Sequence, residues 1–323
     1  KVITLDSFQY HPTQPRDSVM ANTPFQKDYI TFRSGQVRLT GFNLEKYKID
    51  SSIIADSMLI MNPAFTIYRD KRPPYLAGAD KPLPVDLIRN IDVPVTVNKL
   101  KLVDGFLSYT EKNAKTRAEG TVFLTHMNAE ISNIKNQGLN DRDSLLLTMN
   151  AYLMDSTMIR LIVKESYNDT LSGFLMTLKM TPTSLSFLNP VLMPMSNVMI
   201  TSGTIDSFDL RAIGHNNLSI GEMKMYYQGL RIRLVKNGEE VNSGFFNKVK
   251  TFLANTFLIK KNNRGRPGIV YFERLKDRSF FNYIVKMTFS GMATSIGVKS
   301  NRKYLKQYKR ELKQRDLPPI DFQ

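Results

Sequence analysis

Few residues of this 323-residue chain have the types and spacing that enzymatic chemistry or metal binding needs. The three histidines, His11, His126 and His215, lie far apart in the sequence and have no carboxylates at metal-ligand spacing. The chain has no cysteine, which excludes thiolate metal sites and disulfide bonds. It contains no nucleophile elbow, no phosphate-binding loop and no dinucleotide-binding glycine motif. The acidic pair Asp141 and Asp143 lies in a polar loop, where solvated turn residues are the usual interpretation.

These observations favour a binding or structural protein over an enzyme, and they predict a fold that needs no metal and no cofactor. Hydrophobic residues make up 42% of the chain and charged residues 23%, which is enough apolar material for a sizeable core. No apolar run approaches the roughly 18 residues of a membrane-spanning helix, and no signal peptide opens the chain. Because the first residues, KVITLDSFQY, have the character of a strand, we expect a piece of a longer or processed polypeptide.

Alternation of apolar and polar residues predicts that most of the chain forms antiparallel β-strands. In GEMKMYYQGLRIRLV and LSGFLMTLKM this alternation places the apolar side chains on one face. Four segments, YITFRSGQVRL, MLIMNPAFTIY, KLKLVDGFLSY and VMITSGTIDSF, share a template of alternation, a short break and further alternation. We interpret each break as a tight turn of a hairpin, at Gly35, at Asn62 and Pro63, at Gly105 and at Gly203.

Other segments depart from the strand pattern. The stretch from residue 69 to residue 94 is dense in proline and predicts an irregular excursion with one helical turn at residues 85–90. Pro190 and Pro194 limit another helical pattern to a short helix. Near the end of the chain, PGIVYFERL predicts one short strand. Helical spacing of apolar residues is found in SGFFNKVKTFLANTFLIKK, RSFFNYIVKMTFSGMATSIG and NRKYLKQYKRELKQRD.

Several of these segments, in this order, resemble the C-terminal region of the AsmA-like envelope proteins of Gram-negative bacteria. The resemblance covers the chain from about Asp28 to Val298 and includes no catalytic residue. It implies a long β-sheet curled into a groove, in a periplasmic protein that moves or organises lipids between the two membranes. It also implies that the chain is part of a longer, membrane-anchored one. The segments are KRPPYLAGADKPLPVDLIRNIDVPVTVNKLKLVDGFLSYTE, GTVFLTHMNAEISNI, LNPVLMPMSNVMITSGTIDSFDL, GEMKMYYQGLRIRLV and RSFFNYIVKMTFSGMATSIGV.

The methionines support an apolar groove independently of this resemblance. Of the 16 methionines, 10 lie between Met149 and Met225, many at alternating strand positions. Methionine side chains are flexible and polarisable, and they line surfaces that accept varied apolar partners. The alternative is an ordinary sandwich core that happens to use methionine. The candidate lipid-groove residues are Met149, Phe174, Met176, Leu178, Met180, Met223, Met225, Leu230 and Ile232.

The net charge of +16 comes mostly from the last quarter of the chain. Residues 241–323 carry 18 lysines and arginines against 5 acidic residues, whereas the first 240 residues carry 27 against 24. In NRKYLKQYKRELKQRD, basic residues crowd one side of the helix, where they repel each other. An anionic partner, such as a membrane surface or an acidic protein face, would relieve the repulsion, and the alternative is a solvated tail. The candidate residues for this contact are Arg302, Lys303, Lys306, Lys309, Arg310 and Lys313.

Nucleic acid is a less favoured partner. The string RGRP at residues 264–267 resembles the core of a minor-groove AT-hook. Four residues are a weak signal, and a turn before the next strand explains the glycine and proline equally well. The basic composition is therefore better explained by an anionic surface of another kind.

The predicted fold is mainly β: a long, curved antiparallel sheet that forms a groove, followed by amphipathic C-terminal helices. The predicted function is that of a non-enzymatic periplasmic or cell-envelope protein whose apolar groove binds or conducts phospholipid or another envelope lipid. The alternative is a structural or assembly subunit of an envelope complex whose apolar face is covered by a partner protein. We expect three parts: an N-terminal strand and loop (1–24), an antiparallel β-groove domain (25–240), and a basic helical region with one short strand (241–323).

Overall fold

The structure, a computed structural model, describes residues 1–168, 173–236, 239–240 and 259–314. In this part of the chain the fold is mainly β, as predicted, with one large sheet that is not closed and a few helices. Strands from all three expected parts pair within this one sheet. The helix predicted in SGFFNKVKTFLANTFLIKK lies almost entirely outside the described residues.

The described elements have the following bounds. The strands are β1 (Ile3–Leu5), β2 (Phe8–Tyr10), β3 (Asp28–Ser34), β4 (Val37–Thr40), β5 (Ile53–Met61), β6 (Ala64–Asp70), β7 (Val95–Lys112), β8 (Glu119–Lys135), β9 (Ser144–Leu153), β10 (Thr157–Ser166), β11 (Phe174–Met180), β12 (Thr183–Ser184), β13 (Val198–Gly214), β14 (Leu218–Lys236), β15 (Glu239–Glu240) and β16 (Gly268–Glu273). The helices are α1 (Arg16–Ala21), α2 (Leu44–Asp50), α3 (Pro84–Arg89), α4 (Asn189–Ser196), α5 (Phe280–Ile296) and α6 (Arg302–Gln314), with a 3-10 helix (Leu185–Leu188) before α4.

Strand pairing in the N-terminal half differs from the predicted hairpins. β3 pairs with β6, and β4 pairs with β5, so that β3 and β4 together form one long interrupted strand. β5 and β6 pair with the two successive halves of β7, and both of these pairings are parallel. The prediction of a wholly antiparallel sheet is therefore wrong at β7, and the sheet is mixed.

The predicted tight turns are also wrong, because the chain continues in the same direction through each break. Gly105 and Gly203 lie inside the continuous strands β7 and β13, at positions where the register shifts. Gly35 lies between β3 and β4, and Asn62 lies between β5 and β6, so each residue separates the two halves of a longer strand. Bulges and tight turns use the same residue types, since glycine, asparagine and aspartate adopt positive φ at the lowest cost.

The breaks in neighbouring strands lie side by side and form a crease across the sheet. Asn62, Asp104 and His126 have φ values of 49°, 52° and 48° in adjacent strands. The backbone amide of Asn62 donates to the backbone carbonyl of Val103 (2.8 Å), and His126 Nδ1 lies 2.9 Å from the Asp104 carboxylate. Because each bulge bends its strand and increases the local twist, aligned bulges bend the whole sheet along one line.

The two C-terminal helices that the sequence predicted, α5 and α6, cover the β16 edge. The Ser279 side chain caps α5 by accepting a hydrogen bond from the Asn282 amide (3.2 Å). Gly291 allows α5 to approach the sheet closely, since a Cβ there would lie 2.7 Å from Met223 Cε. On α6, the ring of Tyr304 stacks on Tyr271 of β16 at a centroid distance of 4.3 Å. Helices α5 and α6 therefore pack against the edge strand β16 from two different sides.

Residues 71–83, which we call the strap, link β6 to α3 and reach the opposite edge of the sheet. The Lys81 amide donates to the carbonyl of Lys276, just after β16 (2.8 Å). Leu83 is fully buried in the largest hydrophobic cluster. The predicted irregular excursion and its helical turn, α3, are confirmed, and the strap joins segments that are distant in the sheet.

Candidate functional site

Apolar side chains from successive strands align in rows that cross the sheet, perpendicular to the strands. Residues paired directly opposite each other point to the same face. We call the face that carries three such rows the trough. The first row is Leu5, Val37, Ile60, Leu102, Ala129, Met149, Leu161, Leu178, Leu210 and Met223. The second row is Ile3, Leu39, Met58, Leu100, Ile131, Leu147, Val163, Met176, Ala212, Gly221 and Val270. The third row, beyond the crease, is Tyr10, Phe32, Phe65, Leu107, Leu124 and Leu153.

The candidate groove residues lie together on this face, as their strand parity predicted. Met149, Leu178 and Met223 belong to the first row, and Met176 belongs to the second. One hydrophobic cluster contains these four together with Phe174, Met180, Met225, Leu230 and Ile232. The shared face is therefore a property of the structure, while contact of these residues with lipid stays a prediction.

The trough is closed at its β14–β16 end, where the sequence predicted an open groove. Met176, Met223 and Met225 expose 2%, 0% and 0% of their surface. They share their cluster with α5 side chains, and Phe280 of α5 meets the ring of Phe174 edge-on at a centroid distance of 5.1 Å. The prediction of an open face at these methionines is wrong, because strand parity does not show where a helix packs.

Exposure rises along the rows towards the opposite edge, so the open part of the trough lies at the N-terminal strands. Ile3, Leu5, Phe8 and Tyr10 expose 42%, 53%, 48% and 54% of their surface. The row residues of β3 to β7 are half-buried. Sequence reasoning missed this region because it treated the interrupted strands as hairpins. The available signal was the alternation within KVITLDSFQY on both sides of the Asp6 break.

A charged rim borders the trough beyond the third row. Asp28, Arg69 and Glu111 lie opposite each other in β3, β6 and β7 on the trough face. The Arg69 guanidinium donates to both Asp28 oxygens (2.6 and 2.5 Å), and Lys71 Nζ lies 2.7 Å from Glu111. Burial, together with the Glu111 carboxylate, raises the pKa of the neighbouring Tyr109 hydroxyl. The ion pairs place equal numbers of positive and negative groups along this border.

Two cavities in the described part of the chain are lined by polar, charged and apolar side chains. Leu230 and Ile232 border a cavity of about 570 Å³ beside Arg231 and Arg233. A second cavity, of about 550 Å³, contains Glu119 among serine, threonine and apolar side chains. Neither cavity joins a histidine to a carboxylate, and the histidine–carboxylate contact at the crease lies on exposed side chains. These cavities therefore do not add an acid–base site to the trough.

We expect a chelator such as EDTA to leave the melting temperature unchanged. Among the described residues, no group of three or more metal-binding side chains converges. Structural metal sites usually use such convergent sets, and their loss unfolds the protein around them. Thermal denaturation monitored by circular dichroism, with and without EDTA, checks this. A fall of several degrees in EDTA that added Zn²⁺ or Ca²⁺ restores would contradict it.

Helix α6 has the two faces that the sequence predicted. The six candidate basic residues, from Arg302 to Lys313, are all exposed. The apolar stripe of Tyr304, Leu305, Tyr308 and Leu312 is half-buried. The Tyr308 hydroxyl lies 3.2 Å from His215 Nε2 in the turn between β13 and β14. The tyrosines therefore fix the rotation of the helix and direct its cations to solvent.

We expect Met176→Asp to destabilise the fold by about 3 kcal/mol or more, because it places an unpaired carboxylate among buried apolar side chains. The matched control is Leu175→Asp, one residue earlier on the opposite face, where the side chain is 55% exposed. This control should cost about 1 kcal/mol or less. Urea denaturation of both variants measures the difference. Equal stabilities would show that α5 does not hold Met176 in a closed core.

No protein-family model matches the chain, and no curated protein is similar to it. Among the described helices, none combines the length and the apolar character that a membrane crossing requires. The features of the molecule that bear on its function are therefore the trough, its rim and the basic helix.

Proposed function

We propose that this chain is a non-enzymatic lipid-binding element of the cell envelope, and that the trough binds or conducts phospholipid or another envelope lipid. The observation that supports this is the continuity of the first two apolar rows, which run from the edge strand β1 to β14 without a charged side chain. Their exposed N-terminal part keeps apolar surface in contact with water at a free-energy cost. An acyl chain lying on that surface would remove the cost.

The dimensions of the trough suit acyl chains. Neighbouring strands are about 4.8 Å apart, so the part of the second row that is not buried, from Ile3 of β1 to Leu147 of β9, crosses six strands and extends roughly 24 Å. One leaflet of a bilayer has a hydrocarbon layer of about 15 Å, half of the ~30 Å core. The open part of this row is therefore long enough for an acyl chain to lie along it.

The border of the trough suits the polar headgroup of a phospholipid. The apolar rows give way to the row of Asp28, Arg69 and Glu111, with Lys71 beside it. A phospholipid has a matching division, since its acyl chains avoid water while its headgroup retains charge. Methionines such as Met58 and Met149 in the rows add adaptable contacts for chains of different shape. A periplasmic location, with membrane attachment through a longer chain, follows from the AsmA-like resemblance.

The second candidate is a subunit of an envelope complex whose apolar face is covered by a partner protein. The observation that favours it is the free edge of the sheet. Every residue of β1 and β2 is exposed, and within the described part of the chain these strands pair on one side only. Such an edge can accept a further strand from another protein segment.

Native mass spectrometry of the purified protein distinguishes these candidates. We expect the protein to carry bound lipid that survives purification without detergent, and extraction should identify a phospholipid or a related amphiphile. Recovery of lipid-free protein that also fails to take up added phospholipid would contradict the lipid proposal. A stoichiometric partner protein in place of lipid would favour the second candidate.

A further inference from the structure

We propose that one corner of the molecule, where the strap meets the loop after β16, inserts into the interfacial layer of an anionic lipid bilayer. The inference rests on the proposed function, because it names the surface with which the trough would exchange lipid. The corner consists of Tyr75 and Leu76 in the strap, Leu275 in the loop, and the C-terminal half of α6. We call it the corner patch.

A buried arginine holds the segments of the corner patch together. Arg274 is 7% exposed, and its guanidinium donates to the carbonyl of Lys81 in the strap and to the side-chain oxygen of Asn216. Its backbone amide donates to the Asn217 carbonyl (2.8 Å) in the turn between β13 and β14. Because the guanidinium makes contacts with two separate segments, the strap and the loop keep a fixed relation to the sheet.

A second set of contacts fixes the strap directly against the loop. The Arg278 guanidinium lies 4.2 Å from the centre of the Tyr75 ring, and the Tyr75 hydroxyl donates to the Asp277 carboxylate. These contacts hold the tyrosine by its polar end. Tyrosines with one apolar and one polar end are enriched where membranes meet water.

The corner patch exposes large apolar side chains on both segments. Tyr75, Leu76 and Leu275 expose 46%, 59% and 51% of their surface, although neighbouring positions such as Leu83 are fully buried. Single exposed leucines are common on proteins and need no explanation. Here three large apolar side chains lie on two segments that Arg274 and Arg278 hold together. This arrangement suits a tip that inserts shallowly into a membrane.

Helix α6 brings positive charge to the same corner. Tyr308 contacts His215, one residue before Asn216, to which Arg274 donates. The exposed cations of the last helical turns follow Tyr308, and they are Lys309, Arg310 and Lys313. Residues 259–314 contain fifteen lysines and arginines against three acidic residues. This charge complements an anionic headgroup layer, and apolar insertion combined with basic residues is a recognised means of stable membrane binding.

The absence of tryptophan from the chain allows a direct test. Leu76→Trp and Leu275→Trp each add the sole tryptophan at the corner patch, and Ile49→Trp adds it at a 79% exposed position on α2. Vesicles of phosphatidylglycerol and phosphatidylcholine should shift the emission of both corner variants to shorter wavelength, and brominated acyl chains should quench it. The Ile49→Trp emission should not change. Unchanged emission at both corner positions while the protein sediments with vesicles would overturn the proposal.

A paired substitution separates this proposal from that of the trough. Leu76→Ser with Leu275→Ser should lower vesicle binding by about tenfold or more, because two exposed leucines no longer insert. Ile49→Ser should bind like the wild type. Lipid retained in the trough, measured by native mass spectrometry, should be equal in all three proteins. Wild-type vesicle binding by the paired variant, or a wild-type protein that ignores anionic vesicles, would overturn the corner patch whatever lipid the trough retains.

Discussion

Charge reversal of Lys306, Lys309, Arg310 and Lys313 to glutamate is expected to abolish binding to anionic vesicles. Each basic side chain near an anionic membrane contributes about 1 kcal/mol, so the loss of four predicts a fall of about a thousandfold before any repulsion by the new carboxylates. Wild-type binding should weaken steeply as salt screens the charges. Vesicle sedimentation across a range of salt concentrations measures both effects. The melting temperature should stay close to that of the wild type, since all four side chains are exposed.

A control with the same change in net charge separates local attraction from the overall charge. Arg38, Lys48, Lys115 and Lys164 are exposed on other parts of the chain, and their replacement by glutamate lowers the net charge equally. We expect this control to retain most of the wild-type binding. Equal binding of wild type and the α6 variant, or binding that is indifferent to salt, would show that the helix is only a solvated end.

The combined substitution Met58→Asp and Leu100→Asp is expected to remove bound lipid from the trough. The two residues are direct neighbours in the second row and are half-buried in its open part. An acyl chain lying over them would have to desolvate two carboxylates, which costs several kcal/mol. Native mass spectrometry should therefore find at least about tenfold less lipid on this variant than on the wild type.

The control for this loss uses the opposite face of the same two strands. Leu59→Asp with Val103→Asp also changes two half-buried residues, one in β5 and one in β7. Both residues point away from the trough. We expect the control to lose a similar amount of stability in urea denaturation but to keep its lipid. If both variants lose lipid equally, the loss of lipid results from the loss of folding stability, and the trough is not the binding surface.

The residue pattern alone determined those features that depend only on residues close together in the sequence. The alternation in LSGFLMTLKM and GEMKMYYQGLRIRLV placed Met176, Leu178, Met223 and Met225 on one face, which the structure confirms. The helical spacing of apolar residues also predicted α5 and α6, and the half-buried stripe of α6 follows from it. These predictions hold because a period of two or of 3.6 residues fixes the direction of each side chain relative to its own backbone.

Only the tertiary structure decided which strands meet and what covers them. Asn62 and Gly105 have the chemistry of turn residues, yet their strands continue, because the long β7 offers pairing partners to both halves of the preceding strand. The same chemistry serves a turn and a bulge, so the choice depends on partners more than thirty residues away. The covering of Met223 by α5 and the burial of Arg274 beneath the strap likewise depend on contacts between distant segments. Periodicity fixes the face on which a side chain lies, but only long-range packing decides whether that face is open to a ligand.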